Sequence, residues 1–114
     1  MLPKKILDEL LEFRHERDWE KFHTAKNLSA SISIEAAELQ EHFQWARDSD
    51  VNDIINRDKA SIENEVADIV ILLSYFCHDM DIDISNAVKR KLDMNRKKYP
   101  IEKSRGVSTK YDRL

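Results

Sequence analysis

The chain has 114 residues, a formal net charge of −3 and a single cysteine, Cys77. The length fits one domain, which we place at residues 1–114, and one cysteine excludes an intrachain disulfide and fits a reducing compartment. The apolar run at 69–73 is far shorter than the ~20 residues that cross a bilayer. We therefore expect a soluble cytoplasmic protein with no membrane partner.

An all-α fold of four helices is expected, because neither glycine nor a further proline interrupts the chain between Pro3 and Pro100. Pro3 suits the first turn of a helix, and Asp83 or Ser85 caps the last helix, which ends before Pro100. The predicted elements are helices at about 3–17, at about 27–47, from 58–61 to 79 and from the Asp83 or Ser85 cap to Tyr99, a polar connection at 47–53, and an irregular tail at about 101–114.

The third predicted helix is apolar on nearly all sides from Ile69 to Phe76. A helix of this kind is buried all round, and four short helices cannot surround it in a small monomer. We therefore expect a homo-oligomer in which a second subunit completes the helical bundle. The alternative is a central helix within a monomeric bundle.

Two of the predicted helices each carry a pair of acids in apolar sequence, Glu35 with Glu38 and Glu65 with Asp68. Residues three apart share one helix face, and buried carboxylates are normally paired or bound to metal. Ligation by oxygen alone favours Mg²⁺ or Mn²⁺, and a multi-metal carboxylate site is typical of chemistry on phosphate esters. Solvation of these acids at the surface is the alternative.

Trp19, His23 and Trp45 supply aromatic faces near the two ends of the second helix. Aromatic rings can stack on nucleic-acid bases, although each of these rings could equally belong to the core. On the last helix, a Lys91-Asn95-Lys98 stripe at i,i+4,i+7 spacing would suit a triphosphate bridging to metal. Ordinary surface charge explains that stripe almost as well.

The basic C-terminal segment suggests a rival function, since residues 89–114 hold ten Lys/Arg and three Asp/Glu. A non-enzymatic oligomeric module could bind nucleic acid through this segment, but that function leaves the acids inside apolar helices unexplained. A di-iron oxidase needs Glu-x-x-His motifs. The chain has this spacing at Glu12 and His15, but neither acidic pair has a histidine at i+3.

Glu35-x-x-Glu38, then twenty-six residues, then Glu65-x-x-Asp68 resembles the signature of the MazG-type all-α nucleoside triphosphate pyrophosphohydrolases. The wider pattern resembles their dCTP-pyrophosphatase-like branch, and this similarity covers almost the whole chain. The segments that carry it are Arg17-Asp18-Trp19-Glu20-x-Phe22-His23, Asn27-Leu28, Phe43-Gln44-Trp45, Lys91-x-Asp93-x-Asn95-Arg96-x-x-Tyr99-Pro100, Ser104-Arg105-Gly106 and Lys110-Tyr111.

The resemblance implies dimers or tetramers, of which we expect the tetramer, and Mg²⁺-dependent cleavage of a dNTP to dNMP and pyrophosphate in nucleotide-pool house-cleaning. A stable nucleic-acid complex is not expected. The implied metal ligands are Glu35, Glu38, Glu65 and Asp68. As a mechanistic hypothesis, Glu38 or the neighbouring Glu35 orients the attacking water. The implied substrate contacts are Trp19, His23 and Trp45 around the base and sugar, and Lys91 and Asn95 on the phosphates or sugar. From the stripe on the last helix we add Lys98, which with Lys91 would neutralise charge on the departing pyrophosphate.

Two positions depart from the family pattern. Ile34 lies immediately before the first acidic pair, at a position where classical MazG proteins have a further Glu. The general base is therefore not assigned. Leu72 stands where the dCTP-preferring branch has a Tyr, which removes a phenol near the substrate. We therefore expect dCTP among the substrates together with at least one other dNTP.

Overall fold

The computed structural model describes residues 1–114 and contains α-helices but no strand, which confirms the all-α prediction. None of the helices is long and apolar enough to cross a membrane. The chain divides into two compact units, residues 1–81 and 82–114. The helices are α1 (Lys4–Glu16), α2 (Ala25–Glu41), α3 (Val51–Arg57), α4 (Lys59–Asp79), α5 (Ile84–Lys98) and α6 (Ile101–Ser104), with 3₁₀ turns at Glu20–Phe22, Asp48–Asp50 and Tyr111–Arg113.

In the first unit, α2 packs along α4, and α1 and α3 pack against α4. Leu28 of α2 is the most deeply buried side chain, 1% exposed, and Ile54 of α3 and Tyr75 of α4 are also buried. The long α2–α4 contact matters most for function, because these two helices carry the two acidic pairs.

Helix α2 is shorter than the sequence predicts. It begins at Ala25 because the Thr24 hydroxyl accepts a hydrogen bond from the Asn27 amide at 3.1 Å, a side-chain N-cap. It ends at Glu41 rather than near residue 47. Just after Glu41, the Phe43 amide donates a hydrogen bond to the Gln40 carbonyl at 2.9 Å, in a tighter i,i+3 pattern. Trp45 therefore lies on a turn after the helix.

Helix α3 begins within the predicted polar connection at 47–53 and continues beyond it to Arg57. Val51, Ile54 and Ile55 have the i,i+3,i+4 spacing of an apolar helical stripe, and Ile54 is 8% exposed. Three apolar residues among many polar ones gave too weak a periodicity to predict this helix, which is fixed by packing against α4.

Helix α4 closely matches the predicted third helix, but within one chain it is not buried on all sides. Ser74 and Tyr75 are buried, whereas the other residues from Ile69 to Phe76 are only half-buried. Val66, one turn earlier, is 45% exposed. The packing within one chain therefore leaves apolar surface on this helix accessible.

In the second unit, Asp83 rather than Ser85 caps α5, with its carboxylate accepting from the Asn86 amide at 3.1 Å. The tail is more regular than predicted, because it contains the short helix α6, which has Pro100 at its N-cap position. The Tyr99 and Tyr111 rings make an edge-to-face contact with centroids 6.1 Å apart, which brings the last residues back toward α5.

Candidate metal and nucleotide site

The packing of α2 on α4 brings three of the four predicted ligands together. Glu35, Glu38 and Glu65 each offer a carboxylate oxygen, and these oxygens lie within 4.8 Å of one another. Oε2 of Glu35 and Oε2 of Glu65 are buried and have no hydrogen-bond partner. Because an unpaired buried carboxylate oxygen is costly, this arrangement can bind a divalent cation through oxygen ligands.

The crowding of these acids changes how they ionise. The pKa of the Glu35 carboxyl is raised to about 7, first by burial and then by a hydrogen bond to Glu38 and by the Glu38 charge. The pKa of Glu65 is also raised, first by burial and then by Glu38. A bound cation would favour the ionised forms and reverse both shifts.

Asp68, the fourth predicted ligand, lies beyond this three-acid cluster. It is exposed on α4, and its negative charge contributes to the raised pKa of Glu35 and of Glu65. Together with Glu35 it lines a neighbouring cavity. The four acids thus form one electrostatic group, of which three are in immediate proximity.

The neighbouring cavity has a volume of about 330 Å³ and combines aromatic, aliphatic and acidic walls. It brings Trp19 and His23, the predicted base and sugar contacts, to the same space as Glu35 and Asp68. Its lining residues are Phe13, Trp19, His23, Glu35, Asp68, Ile71, Leu72 and Tyr75. We call this space the aromatic cavity.

Sequence reasoning missed Phe13 and Tyr75 as walls of the aromatic cavity. Tyr75 follows Asp68 and Leu72 at i,i+4,i+7 spacing, so the helical repeat of α4 could have identified it. Phe13 makes an edge-to-face contact with Trp19 at a centroid distance of 5.6 Å. This contact depends on the turn after α1 and has no signal in the local sequence.

Trp45 does not share the aromatic cavity within this chain. Its ring is 89% exposed and lines a separate cavity of about 420 Å³ with His42 and Arg57. A third cavity, of about 520 Å³, joins the acid cluster to this region, since Glu38 and Glu65 line it together with the same His42 and Arg57. Sequence reasoning had not placed either basic side chain beside the acids.

The predicted phosphate or sugar contacts lie on α5 in the second unit. Lys91 is exposed, whereas Asn95 and Lys98 are half-buried. The Lys98 ammonium lies 4.7 Å from the centroid of the Tyr111 ring, a cation–π contact within that unit. Their role toward a substrate remains a prediction.

A part-buried ion pair supports the wall of the aromatic cavity. Arg14, only 4% exposed, donates to both carboxylate oxygens of Asp79 at 2.8 and 2.9 Å. Its guanidinium lies 4.6 Å from the centroid of the Tyr75 ring, and the Tyr75 hydroxyl donates to the Leu10 carbonyl at 2.8 Å. The hydrogen bonds from Arg14 hold the pKa of Asp79 below its usual range. Sequence reasoning missed this pair, whose members are 65 residues apart.

The site combines clustered carboxylates between two helices with an adjacent aromatic cavity. This arrangement is suited to an all-α protein that binds a ligand together with a divalent metal ion. Residues 30–114 match the MazG-like family. The chain belongs to the MazG-like family, which confirms the resemblance seen in its motifs. The matched residues include all four acids, whereas Trp19 and His23 lie before them.

Individual relatives give a more detailed comparison than the family as a whole. The chain is similar to dCTP pyrophosphatase 1 from Bos taurus, 39% identical over 105 residues, which is 90% of this chain and 62% of the relative. The Homo sapiens protein of the same name is 37% identical over the same shares of the two chains. The chain therefore spans about 62% of the length of these curated relatives.

One solved structure is also similar to this chain over most of the length of both. This structure is a pyrophosphatase from Archaeoglobus fulgidus, with a TM-score of 0.81 and 49% sequence identity. The match covers 85% of this chain and 91% of that one. The fold and the family are thus established by two independent comparisons.

Proposed function

We propose that this protein is a nucleoside triphosphate pyrophosphohydrolase that converts dCTP and other dNTPs to the monophosphate and pyrophosphate. The observation that carries the proposal is the cluster of Glu35, Glu38 and Glu65, whose ligand oxygens lie within 4.8 Å. The names of its relatives agree with this activity, since they include dCTP pyrophosphatases and a solved pyrophosphatase. House-cleaning of the nucleotide pool is the corresponding biological role.

The residues present fit Mg²⁺, with Mn²⁺ as a substitute. The donors are all oxygens, and two of them, Oε2 of Glu35 and Oε2 of Glu65, are buried without any other partner. Glu35, Glu38, Glu65 and Asp68 would hold the metal. When bound, such an ion supplies Lewis-acid polarisation of the phosphoryl group and a more acidic bound water.

The remaining steps belong to side chains of this chain. Glu38 or Glu35 would orient the attacking water by accepting its hydrogen bond, as a general base must. Lys91 and Lys98 would neutralise charge on the departing pyrophosphate, and Asn95 would hold a phosphate or the sugar.

The chemistry of the aromatic cavity supports activity on more than one base. Trp19 offers a π-face, and stacking tolerates any base. Leu72 has no polar group, and the Tyr75 hydroxyl is already bonded to the Leu10 carbonyl at 2.8 Å. Few groups therefore remain that could reject a wrong base by leaving a polar atom unpaired. The exposed Trp45 ring is proposed as a second stacking surface.

We also propose a cytoplasmic homo-oligomer, a tetramer or a dimer. Ile34 and Val66 are 59% and 45% exposed, and each adjoins a proposed ligand in sequence. The half-buried apolar residues of α4 extend this accessible surface. Covering it with a second subunit would bury apolar area and shield the metal site from water.

The deciding experiment incubates the purified protein with each canonical dNTP and with modified dNTPs, in Mg²⁺ and in EDTA, and measures pyrophosphate and phosphate separately. We expect Mg²⁺-dependent pyrophosphate release, with dCTP and at least one other dNTP turned over comparably. Release of orthophosphate alone, or no turnover in Mg²⁺ or Mn²⁺, would refute the proposal. Metal-independent DNA binding with a steep salt dependence would favour the nucleic-acid module instead.

A further inference from the structure

His23 lies between the aromatic cavity, which it lines, and the part-buried Arg14–Asp79 pair. Its Nδ1 is 3.4 Å from Nη1 of Arg14. Its ring stacks at a 35° tilt on the Tyr75 ring, with centroids 5.2 Å apart. The imidazole is therefore held on one side by a cation and on one face by an aromatic ring.

The contact with Arg14 decides which ring nitrogen carries the proton. A guanidinium has donors but no acceptor, so His23 Nδ1 must accept through its lone pair. A neutral imidazole with an accepting Nδ1 has its N–H at Nε2. Burial and the charge of Arg14 both lower the pKa of His23, which agrees with a neutral ring.

The position of Arg14 is itself strongly determined. Asp79 binds the guanidinium through two hydrogen bonds, and the bidentate geometry fixes its plane. Tyr75 lies below it at 4.6 Å and is anchored through its hydroxyl to Leu10. Arg14 therefore cannot easily move away from His23, and the direction of the Nδ1 hydrogen bond is fixed.

We infer that Arg14 is a positioning residue that locks His23 in the Nε2–H tautomer, so that the ring presents a hydrogen-bond donor to the nucleoside in the aromatic cavity. The identity of the acceptor, an oxygen of the base or sugar, rests on the proposed function. The tautomer itself does not. Trp19 and His23 would then supply stacking and a directed hydrogen bond within one cavity.

The direct test is ¹⁵N NMR of the histidine rings in the metal-free protein at neutral pH, with the His23 signals assigned through His23→Gln. We expect an unprotonated Nδ1 and a protonated Nε2 in the wild-type protein. Arg14→Met should move the His23 signals toward those of a freely exchanging imidazole, and Arg14→Lys, which keeps a donor, should partly restore them. The His42 signals serve as an internal control and should not change.

Arg14→Met leaves Asp79 without its partner and could unfold the protein. Arg14→Met/Asp79→Leu is therefore the second variant, because replacing a buried pair by apolar groups is often tolerated. A wild-type His23 protonated at Nδ1 would overturn the inference. So would His23 signals that stay unchanged in the folded double variant.

Steady-state kinetics test the role toward substrate. Because the acceptor lies on a non-reacting part of the nucleotide, the double variant should raise KM about two- to tenfold, the range for losing one hydrogen bond, with kcat nearly unchanged. Added to His23→Gln, the same changes should have little further effect. Additive effects would overturn the coupling. A wild-type protein without turnover would refute the proposed function while the NMR result on the tautomer stands.

Discussion

Helix α4 contributes a carboxylate to each of two charged regions that are opposite in design. Near its start, Glu65 faces Glu35 and Glu38, which have the same charge. At its end, Asp79 faces the guanidinium of Arg14. The pKa of Glu65 is raised, whereas the pKa of Asp79 is lowered. We call the first region the acid cluster and the second the ion-pair region.

The difference shows that the partner, rather than burial alone, decides what a half-buried carboxylate does. In the ion-pair region both Asp79 oxygens accept hydrogen bonds from Arg14, so the charge is satisfied within the protein. In the acid cluster, Oε2 of Glu35 and Oε2 of Glu65 have none. The repulsion within a cluster of like charges is relieved either by protonation or by a cation that binds from outside.

The largest effect is expected from removing acids of the proposed site. Glu38→Ala and Asp68→Ala should each reduce kcat by more than about a hundredfold, since even the partners of metal ligands are worth about 10- to 100-fold. Metal-free stability should be kept or raised, because crowded like charges repel. Glu63→Ala, an exposed acid on the same helix, is the matched control. Pyrophosphate release at saturating Mg²⁺ and thermal melts in EDTA measure both quantities.

Near-wild-type activity in either acid variant would remove that residue from the site. A large loss of metal-free stability would show that the acid cluster is structural, and the contrast with the ion-pair region would then fail. Activity lost equally in Glu63→Ala would indicate a general effect of charge on α4 rather than a defined site.

Breaking the ion pair should have the opposite effect to removing an acid of the cluster: stability should fall, whereas metal binding should be kept. Asp79→Ala leaves Arg14 as a buried cation without its partner, which typically costs about 3–5 kcal/mol of the free energy of unfolding. Mg²⁺ binding by the folded fraction should be retained, because the acid cluster is untouched. Urea unfolding followed by circular dichroism measures the loss, and calorimetry measures metal binding.

Asp8→Ala is the matched control for that change. It breaks the exposed Lys4–Asp8 pair, which is equally short at 2.7 Å, and exposed pairs contribute little. If both variants lose the same small amount of stability, burial of Arg14 adds nothing and the ion-pair region is not a structural anchor.

The two regions should also respond oppositely to pH. The pKa of Glu35 is about 7 in the folded protein against an ordinary value of 4.5, so between these values the folded state binds more protons than the unfolded state. Stability of the metal-free protein should therefore fall as pH rises through that window. The contribution of Asp79 is present at neutral pH and is lost only as pH falls through its lowered pKa, below 3.8.

Thermal melts in EDTA across the window from 4.5 to about 7 test this dependence. Glu35→Gln should flatten the decline, and saturating Mg²⁺ should remove it, because the metal favours the ionised acids. Glu63→Gln is the control and should keep the wild-type slope. A slope that Glu35→Gln leaves unchanged would assign the pH dependence to other groups.

The sequence predicted the acid cluster but not the ion-pair region, for a physical reason. Glu35, Glu38, Glu65 and Asp68 form local i,i+3 pairs inside apolar helices, and a helical period can be read from neighbouring residues. The partners Arg14 and Asp79 are separated by 65 residues, and nothing local links them. Their pairing depends on how α1 packs against α4.

The same limit explains the errors in helix boundaries. Helices α1, α4 and α5 were predicted closely, because α1 has an apolar stripe, α4 has a long apolar run and α5 lies between a capping acid and Pro100. Helix α3 has only three apolar residues and was missed. The connections at Asp18 and Asp81 lie between predicted helices, but their left-handed φ angles of 54° and 53° had no sequence signal, because such angles are usually reserved for glycine. The chain has just one glycine, at position 106.

The smallest expected effect concerns Asp18, which ends the helix that carries Arg14. The Trp19 amide bonds the Arg14 carbonyl at 3.1 Å and the Asp18 amide bonds the His15 carbonyl at 3.0 Å, the pattern of a Schellman C-cap. Glycine relieves the strain of a left-handed residue but adds freedom to the unfolded chain. Asp18→Gly should therefore raise the free energy of unfolding by at most about 1 kcal/mol.

Asp18→Ala separates backbone strain from charge, because it removes the same carboxylate but keeps a Cβ. We expect it to lower stability, since alanine tolerates the left-handed region less well than aspartate. Urea unfolding of both variants measures the difference. Equal losses in the two would instead assign the effect to the exposed Asp18–Lys21 pair at 2.9 Å. The expected opposite signs would show that this end of α1 is held by backbone geometry, whereas the ion-pair region one turn earlier is held by charge.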